Sequence, residues 1–525
     1  MLPVSASILC LLALLKLGLV LLLVAASLHL LRLGLWSLRQ PAPALPPPPL
    51  DTDATPQLPR ITVQLPMYNE QAVAARAIAA ACALDWPALS IDVLDDSTDA
   101  TRALIDRLVA ERQQQGIDIR VLRRPDRRGY KAGNLAYGLS RLPDGCDFVA
   151  LFDADFVPPP DFLRRLMPLL LADETIGFVQ SRWGYLNERQ NLLTRMQALI
   201  LDGLMLVEQA YLDAHALPLQ WNGTGGIFRT QALRAAGGWL GESHSTSVLT
   251  EDLDVSYRAL LKGYRGRQVA AVAVPSELPA SMTAFRVQQQ RWVGGGAQVL
   301  RSLFGKLTRE RLRLRSLVTL LAHLARHARQ PYLSLSLLWL PIVYLGLPRP
   351  HDAADAEAST LAQAAGRFAA RLLDAVPLGA GVALFAVAVA VYYGAARRQA
   401  GRSVAEALVL SPLLIPLSVG LSLPLSAALL RGLFESPARS EFKRTPKAGD
   451  ASPAPTGTAS APAPPPAALR LALAPLGEAL AGVLYLGLAG LALARAQLQT
   501  GLALAGCVAL GLLWVGLGSL RRPRV

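Results

Sequence analysis

Cysteine is scarce in this sequence, with Cys10, Cys82, Cys146 and Cys507 the four among 525 residues. None stands in a C-x-x-C spacing, so a disulfide scaffold, a zinc site and a thiol redox centre are not expected. Histidine is almost as rare, at six. His323 and His327 are four apart but no H-E-x-x-H exists, so an ordinary structural role is expected for both. The phosphate-cradling G-x-x-x-x-G-K-[ST] is also missing, which excludes a P-loop kinase or ATPase. Charge is thin at 17%, against about 25% in soluble chains, while 52% of residues are hydrophobic. That apolar content excludes extended disorder and places part of the chain in lipid. The net charge of +14 comes without a compact basic and aromatic stripe, so no nucleic acid is expected as a partner. Basic flanks on the inner side of a membrane account for it.

What is present divides the chain. Residues 8–34 exceed the roughly 20 apolar residues that cross a bilayer, and Arg32, Arg39 and Arg60 follow them. The segment 1–39 is therefore expected to be an uncleaved anchor that leaves the following residues in the cytosol. A Pro-rich linker occupies 40–59. From 60 to 300 the composition becomes globular. Short β-branched runs recur at 61–65, 90–94, 117–122, 147–152 and 176–180, with helical periodicity at 70–84 and 99–114. Alternating strands and helices predict an α/β fold with a mostly parallel sheet.

Residues 301–330 are basic and amphipathic, suiting a helix along the inner membrane surface. Apolar spans are expected at 331–348, 373–395, 405–432, 470–494 and 499–518. Residues 331–434 thus form spanning or re-entrant helices, 435–469 a cytosolic loop with a Pro/Ala-rich linker, and 470–525 a hairpin. The connection 348–359 is acidic and suits the outer side, while 397–402 and 443–447 are basic and suit the inner side. Two inner flanks cannot enclose one crossing. With Pro412, Pro416 and Pro424 inside it, 405–432 is expected to be a broken, re-entrant or interfacial hairpin.

The chemistry lies where strands end, since ligands of parallel sheets bind beyond the carboxyl ends of their strands. Asp95 and Asp96 close IDVLDD, and Asp153 and Asp155 form a D-x-D in ALFDADF. One such pair is commonly a turn former. Two pairs facing one crevice repel unless a cation neutralises them, and hard oxygen ligands suit Mg²⁺ or Mn²⁺ beside a diphosphate. Glu251 and Asp252 open a helical pattern, where acids serve as caps, or one serves as a general base. Arg291 in QQQRW can pair with phosphate, Trp292 offers a flat face to a sugar ring, and Lys131 precedes a helix. Gly223, Gly225 and Gly226 allow a backbone to approach a ligand closely.

Taken in order, QLPMYNE (64–70), VLDDSTDAT (93–101), GYKAGNL (129–135), FDADF (152–156), TED (250–252) and Q-x-x-R-W at Gln288, Arg291 and Trp292 resemble the processive, membrane-integrated glycosyltransferases of family 2. The likeness is to the cellulose-synthase-like glucan and mannan synthases, and it covers about 60–300. It implies a GT-A-like fold attached to a transmembrane helical bundle. It also implies a nucleotide-sugar donor (UDP-glucose or GDP-mannose), inversion at the anomeric carbon and a growing polysaccharide acceptor. One of Asp95 and Asp96 then contacts the nucleotide, Asp153 faces it, and Asp155 ligates Mg²⁺ or Mn²⁺. Lys131 and Arg291 join the donor side, and Asp252 is the general base. Gln288 and Trp292 hold the terminal sugar, with Glu251 and Gly225 on the same acceptor side. The expected location is a bacterial inner membrane with the catalytic part cytosolic, and an accessory export subunit is a further expected partner. The alternative is one transfer to a lipid acceptor.

Overall fold

The computed structural model describes residues 6–41, 48–52, 57–241, 249–309, 313–325, 334, 378–435, 466–494 and 504–520. The span expected at 331–348 (apart from Ser334), the connections 348–359 and 443–447, and the linker 449–467 as far as residue 465 lie outside them. The chain divides into two compact units, one built from 41–327 and 427–460, the other from 1–40, 328–426 and 461–524.

The first unit is a seven-stranded sheet with helices on both faces. Its strands are β1 (Arg60–Met67), β2 (Leu89–Asp95), β3 (Ile119–Leu122), β4 (Cys146–Leu151), β5 (Ile176–Tyr185), β6 (Gly226–Arg229) and β7 (Arg265–Ser276). Each of the five expected strands forms. Two were not expected: β6 is only four residues, and in β7 arginines and glutamine dilute the alternation. The sheet order is β3-β2-β1-β4-β6-β5-β7. β1 runs parallel to β2 and β4, β2 to β3, and β5 to β7, while β6 is antiparallel to both neighbours. The carboxyl ends of six strands therefore share one edge of the sheet, and β6, running backwards, brings its amino end to that same edge.

β1 is buried on both faces, with Ile61, Val63, Leu65 and Met67 on one and the polar Thr62 and Gln64 on the other, none of them more than 2% exposed. Helices Ala74–Cys82, Thr101–Gln114 and Phe162–Ala172 supply Ala77, Ile105 and Leu166 to the core on one face. On the other, Tyr130–Ser140, Thr230–Ala235 and Glu251–Leu261 supply Leu135, Leu233 and Val255. Asp92 is fully buried in β2 because Arg120, directly opposite on β3, grips its carboxylate through Nε at 2.6 Å and Nη2 at 3.2 Å. The boundary drawn at 300 falls inside an unbroken helix, Met282–Arg309. Of the amphipathic region, Leu314–Ala325 is helical, and its His323 contacts Tyr257.

The second unit is helical. Ala6–Arg39 packs along Leu378–Gln399, where a Cβ added to Gly34 would sit 3.0 Å from Tyr392 Cα. Gly420 and Gly511 make a still closer crossing, the small-residue packing that lets helix backbones touch. Among the described residues, Ala13–Arg39, Ala380–Gln399, Val404–Phe434 and Ala474–Leu491 are long and apolar enough to cross a membrane. The segment 405–432, expected to be a broken, re-entrant or interfacial hairpin, is broken but makes no hairpin within the described residues. It breaks into Val404–Leu410, a 3₁₀ turn at Ser411–Leu413 and Leu414–Phe434, with right-handed helical dihedrals throughout the junction. Pro412 and Pro416 fall in the first turns of these pieces, where a missing N–H costs nothing. The prolines loosen the helix without turning it back.

Candidate active site

The sheet edge where strands end holds one cavity, lined by side chains from every acidic motif. Asp96, Asp153, Asp155, Glu251 and Asp252 face it, with Lys131, Gln288, Arg291 and Trp292. Met67 ends β1 and Tyr68 and Glu70 follow into the lining; Ser276 ends β7 and Glu277 follows. The strand-end rule of parallel sheets thus accounts for most of the wall.

Lys131 ties the acidic groups together. It is the second residue of its helix, and its Nζ lies 2.6 Å from Asp153 Oδ1 and 3.4 Å from Glu251 Oε1, while donating to the Gly223 carbonyl at 3.2 Å. Burial alone would lower its pKa; the carboxylates of Asp153, Glu251 and Asp252 outweigh burial and hold it well above the ordinary lysine value. Asp153 is fixed at its backbone, whose N–H donates to Thr224 Oγ1 at 2.9 Å. Asp155 is 3% exposed, and its Oδ2 accepts from the Glu277 N–H at 3.3 Å. Glu277 in turn pairs with Arg76 at 2.5 Å.

Glu251 and Asp252 are the first two residues of Glu251–Leu261, where the helix dipole favours carboxylates. Thr250 makes no side-chain capping bond there. Desolvation, then the neighbouring charge of Glu251, pushes the Asp252 carboxyl up to about 7, against the opposing pull of Lys131, the Leu253 N–H and Arg291. Burial draws Arg291 below its usual value while Glu251, Asp153, Asp252 and Asp155 oppose the shift. A carboxyl poised near neutrality beside a half-buried guanidinium is the arrangement general-base chemistry needs. Trp292 sits with its ring centroid 6.5 Å from Trp183, whose edge meets Phe156 at 5.5 Å. Phe156, Trp183 and Trp292 thus add an apolar patch to the charged lining.

Two expected positions fall elsewhere. Asp95 does not line the cavity; its carboxylate accepts from Arg123 Nε at 2.7 Å and from the Ser97 N–H at 2.9 Å. Asp96, one residue past the strand, does line it, though Arg124 also holds it through two bonds of 2.8 and 2.6 Å. Alternation at the strand end aims one aspartate at the cavity and the other away. Gly225 is likewise absent from the lining. At φ +70° its carbonyl accepts from the Ser181 N–H at 2.9 Å and its N–H donates to the Leu151 carbonyl at 2.8 Å, joining β5, β6 and β4. Gly223 takes the place at the cavity, at φ +83°, where an added Cβ would lie 2.8 Å from Asp252 Oδ2. Gly223→Ala is expected to lower kcat by at least tenfold, since the left-handed backbone costs a non-glycine residue about 1–2 kcal/mol and the methyl presses on the carboxylate. Steady-state kinetics beside a thermal melt would check this.

Tyr68, Arg127, Asn134, Trp183, Asn222 and Glu277 also line the cavity, and no role was assigned to them from sequence. Arg127 stacks on Tyr68 with its guanidinium carbon 3.3 Å from the ring centroid. Glu277 follows the apolar run VAAVAV (269–274) of β7, which the arginines and glutamine before it obscure, and Trp183 lies in QSRW beside Arg182 without an acidic residue to mark it.

Among the described residues no group of three or more His, Cys, Asp or Glu could hold a metal. Asp153 and Asp155 offer two hard carboxylates at most. That donor set fits Mg²⁺ or Mn²⁺, which take one or two carboxylates and complete their shell with phosphate and water, and does not fit a metal caged by protein alone.

Residues 148–394 match the model described as glycosyl transferase family group 2, and residues 62–232 match glycosyl transferase family 2. The stretch 62–394 is thus similar to family 2 glycosyltransferases. Its relatives include the probable glucomannan 4-beta-mannosyltransferase 6 of Oryza sativa subsp. japonica, 43% identical over 253 residues, 47% of this chain and 43% of that one. Glucomannan 4-beta-mannosyltransferase 2 of Arabidopsis thaliana is 43% identical over 257 residues, 48% of this chain and 47% of that one. The chain thus spans about half the length of the curated relatives it matches. Among solved structures, the mannosyltransferase PcManGT from Pyrobaculum calidifontis in complex with GDP-Man and Mn²⁺ has a TM-score of 0.47 at 22% identity, covering 73% of this chain and 97% of that one.

Proposed function

We propose that the protein is an inverting hexosyltransferase that elongates a β-mannan or β-glucan from GDP-mannose or UDP-glucose and passes the product across a membrane. One observation carries the reading. A carboxyl held near neutrality, Asp252, shares a cavity with a half-buried Arg291, a D-x-D pair and a half-buried tryptophan wall. The glucomannan 4-beta-mannosyltransferase relatives support the hexosyl class and favour the mannosyl donor.

In this reading Asp252 removes the proton from the acceptor hydroxyl as that oxygen attacks the anomeric carbon. Attack comes from the face opposite the departing diphosphate, so the configuration inverts. Arg291 stabilises the charge that gathers on the leaving nucleoside diphosphate. Lys131 orients Asp153 and keeps Glu251 and Asp252 from repelling the donor. Trp292 and Gln288 hold the terminal sugar of the acceptor, and Trp183 backs the Trp292 ring. Asp153 and Asp155 would hold Mg²⁺ or Mn²⁺, which supplies further neutralisation of the diphosphate when bound. The apolar helices among the described residues suit a membrane enzyme, and the reading places it in a bacterial inner membrane with its catalytic unit toward the cytosol.

The test supplies purified protein with single nucleotide sugars and Mg²⁺ or Mn²⁺, and measures released nucleoside diphosphate and product length by mass spectrometry. Long β-linked chains are expected. A single sugar on a lipid acceptor would mean transfer without elongation, and no release with any nucleotide sugar would end the reading.

The Asp252 carboxyl also sets a pH dependence. The base works unprotonated, and its raised pKa means that proton uptake begins near pH 7 rather than near 4. kcat/KM, which reports the free enzyme, is expected to fall about tenfold per unit below about pH 7. A profile flat down to pH 5 would exclude Asp252 as the base.

A further inference from the structure

The helix that begins at Leu192–Asp202 widens into a π segment, Gly203–Gln209, before closing as Ala210–Ala214. Such segments are rare and recur at functional sites because they redirect a side chain that a regular helix would aim elsewhere. Here the segment buries the amide of Gln209, which is 1% exposed. Gln209 Nε2 donates to Asn222 Oδ1 at 2.7 Å, and Asn222 Nδ2 donates back to Gln209 Oε1 at 3.0 Å. A third amide closes the frame: Gln180, wholly buried in β5, accepts from the Asn222 N–H at 2.9 Å and donates to the Gln220 carbonyl at 2.9 Å. Residues on both sides of Trp221 are thereby fixed, and the Trp221 ring is wedged against Phe178 and Phe228 at 5.4 and 5.3 Å.

Buried amides cost free energy unless their bonds are satisfied. A methionine or leucine would fill the Gln209 site without that demand. The structure nevertheless spends three amides on one loop. The next residues of that loop touch the reacting groups: the Gly223 carbonyl accepts from Lys131, Gly223 abuts Asp252, and Thr224 Oγ1 accepts from the Asp153 N–H.

We propose that Gln209, which lies outside the cavity, is a positioning residue that holds residues 220–224 in the register required by Lys131, Asp153 and Asp252. The inference rests on the transferase reading above. Misplacing a reacting group by about 1 Å costs on the order of a hundredfold in rate, and Gln209 acts at that scale through Asn222.

The experiment compares full-length wild type with Gln209→Leu in detergent or nanodiscs by three measurements. Hydrogen exchange of peptides covering 219–226 should rise at least tenfold in Q209L while β1 and β4 stay protected. The Kd for GDP or UDP should change less than threefold, and donor KM likewise, while kcat falls about a hundredfold. Asn222→Ala should reproduce the loss. The double variant Q209L/N222A should be no more than threefold slower than N222A, because both changes release the same loop. Unchanged exchange with kcat within threefold of wild type would overturn the proposal, as would losses that multiply in the double variant. If Q209L does not fold, Gln209→Glu keeps one of the two bonds to Asn222 and should show the same split in weaker form; equal kcat in Q209E and wild type would also overturn it. Wild type that transfers no sugar would refute the transferase reading, while the exchange measurement would still decide whether Gln209 holds the loop.

Discussion

Asp252→Asn should abolish transfer while the protein continues to bind nucleotide. The amide has nearly the volume of the carboxyl, so the cavity keeps its shape; what disappears is the proton acceptor. General-base assistance is worth about 10²–10⁴ in rate, and kcat should fall within that range or below detection. Nucleoside diphosphate affinity should hold or improve, because removing one of the negative charges around Lys131 and Arg291 leaves both cations freer to meet phosphate. Isothermal titration with GDP and UDP, run beside the turnover assay, separates the two effects. Wild-type turnover in D252N would mean that the hydroxyl proton leaves by another route.

Lys131→Met has the second large effect, and it acts through charge. The ammonium lies among Asp153, Glu251 and Asp252, two of them in direct ion-pair distance. Removing one partner of a buried pair leaves the other charge uncompensated, which costs about 3–5 kcal/mol in closed sites. Asp153 is a third exposed, so the lower end of that range applies. The sign for Asp252 is definite: Lys131 lowers its pKa, so in K131M the carboxyl rises further and the acid limb of kcat/KM moves to higher pH. Activity at pH 7 should therefore fall more than activity at pH 9. The variant should also bind nucleoside diphosphate more weakly. A limb that stays put, or moves to lower pH, would show that the ammonium does not act on Asp252.

Much of this site was legible because strand ends are legible. ITVQL, SIDVL and DFVALF carry the β-branched signature, and the acids that follow them had to meet once the strands lay parallel. What the sequence could not supply was the phase at each end. Asp95 and Asp96 are the same residue type and each is held by an arginine, and only the pleat at the last residue of β2 turns one away from the cavity and the other into its lining. Gly223 and Gly225 differ in the same way: both have positive φ, but one serves the sheet junction and the other the carboxylate. β6 escaped notice because four residues carry no readable period, yet its reversal delivers the glycine loop to the shared edge. The amides of Gln180, Gln209 and Asn222 were invisible for a different reason. Their roles depend on partners up to 42 positions apart in sequence and on a π turn that no periodicity announces. In the helical unit, the two basic flanks at 397–402 and 443–447 and the three prolines between them predict a broken, re-entrant or interfacial hairpin, and the second flank lies outside the described residues. Two of the prolines occupy first turns, where proline is accepted without turning the chain.

The central claim is spatial: one diphosphate meets Asp153, Asp155 and Arg291 in one cavity, within reach of Asp252 and Trp292. Electron cryomicroscopy of the full-length protein with Mn²⁺ and GDP, and separately with UDP, tests it directly. The account predicts density for the diphosphate against Arg291 and for the cation against Asp155, with the nucleoside toward Asp96. A nucleotide bound at another surface, with this cavity empty, would contradict it.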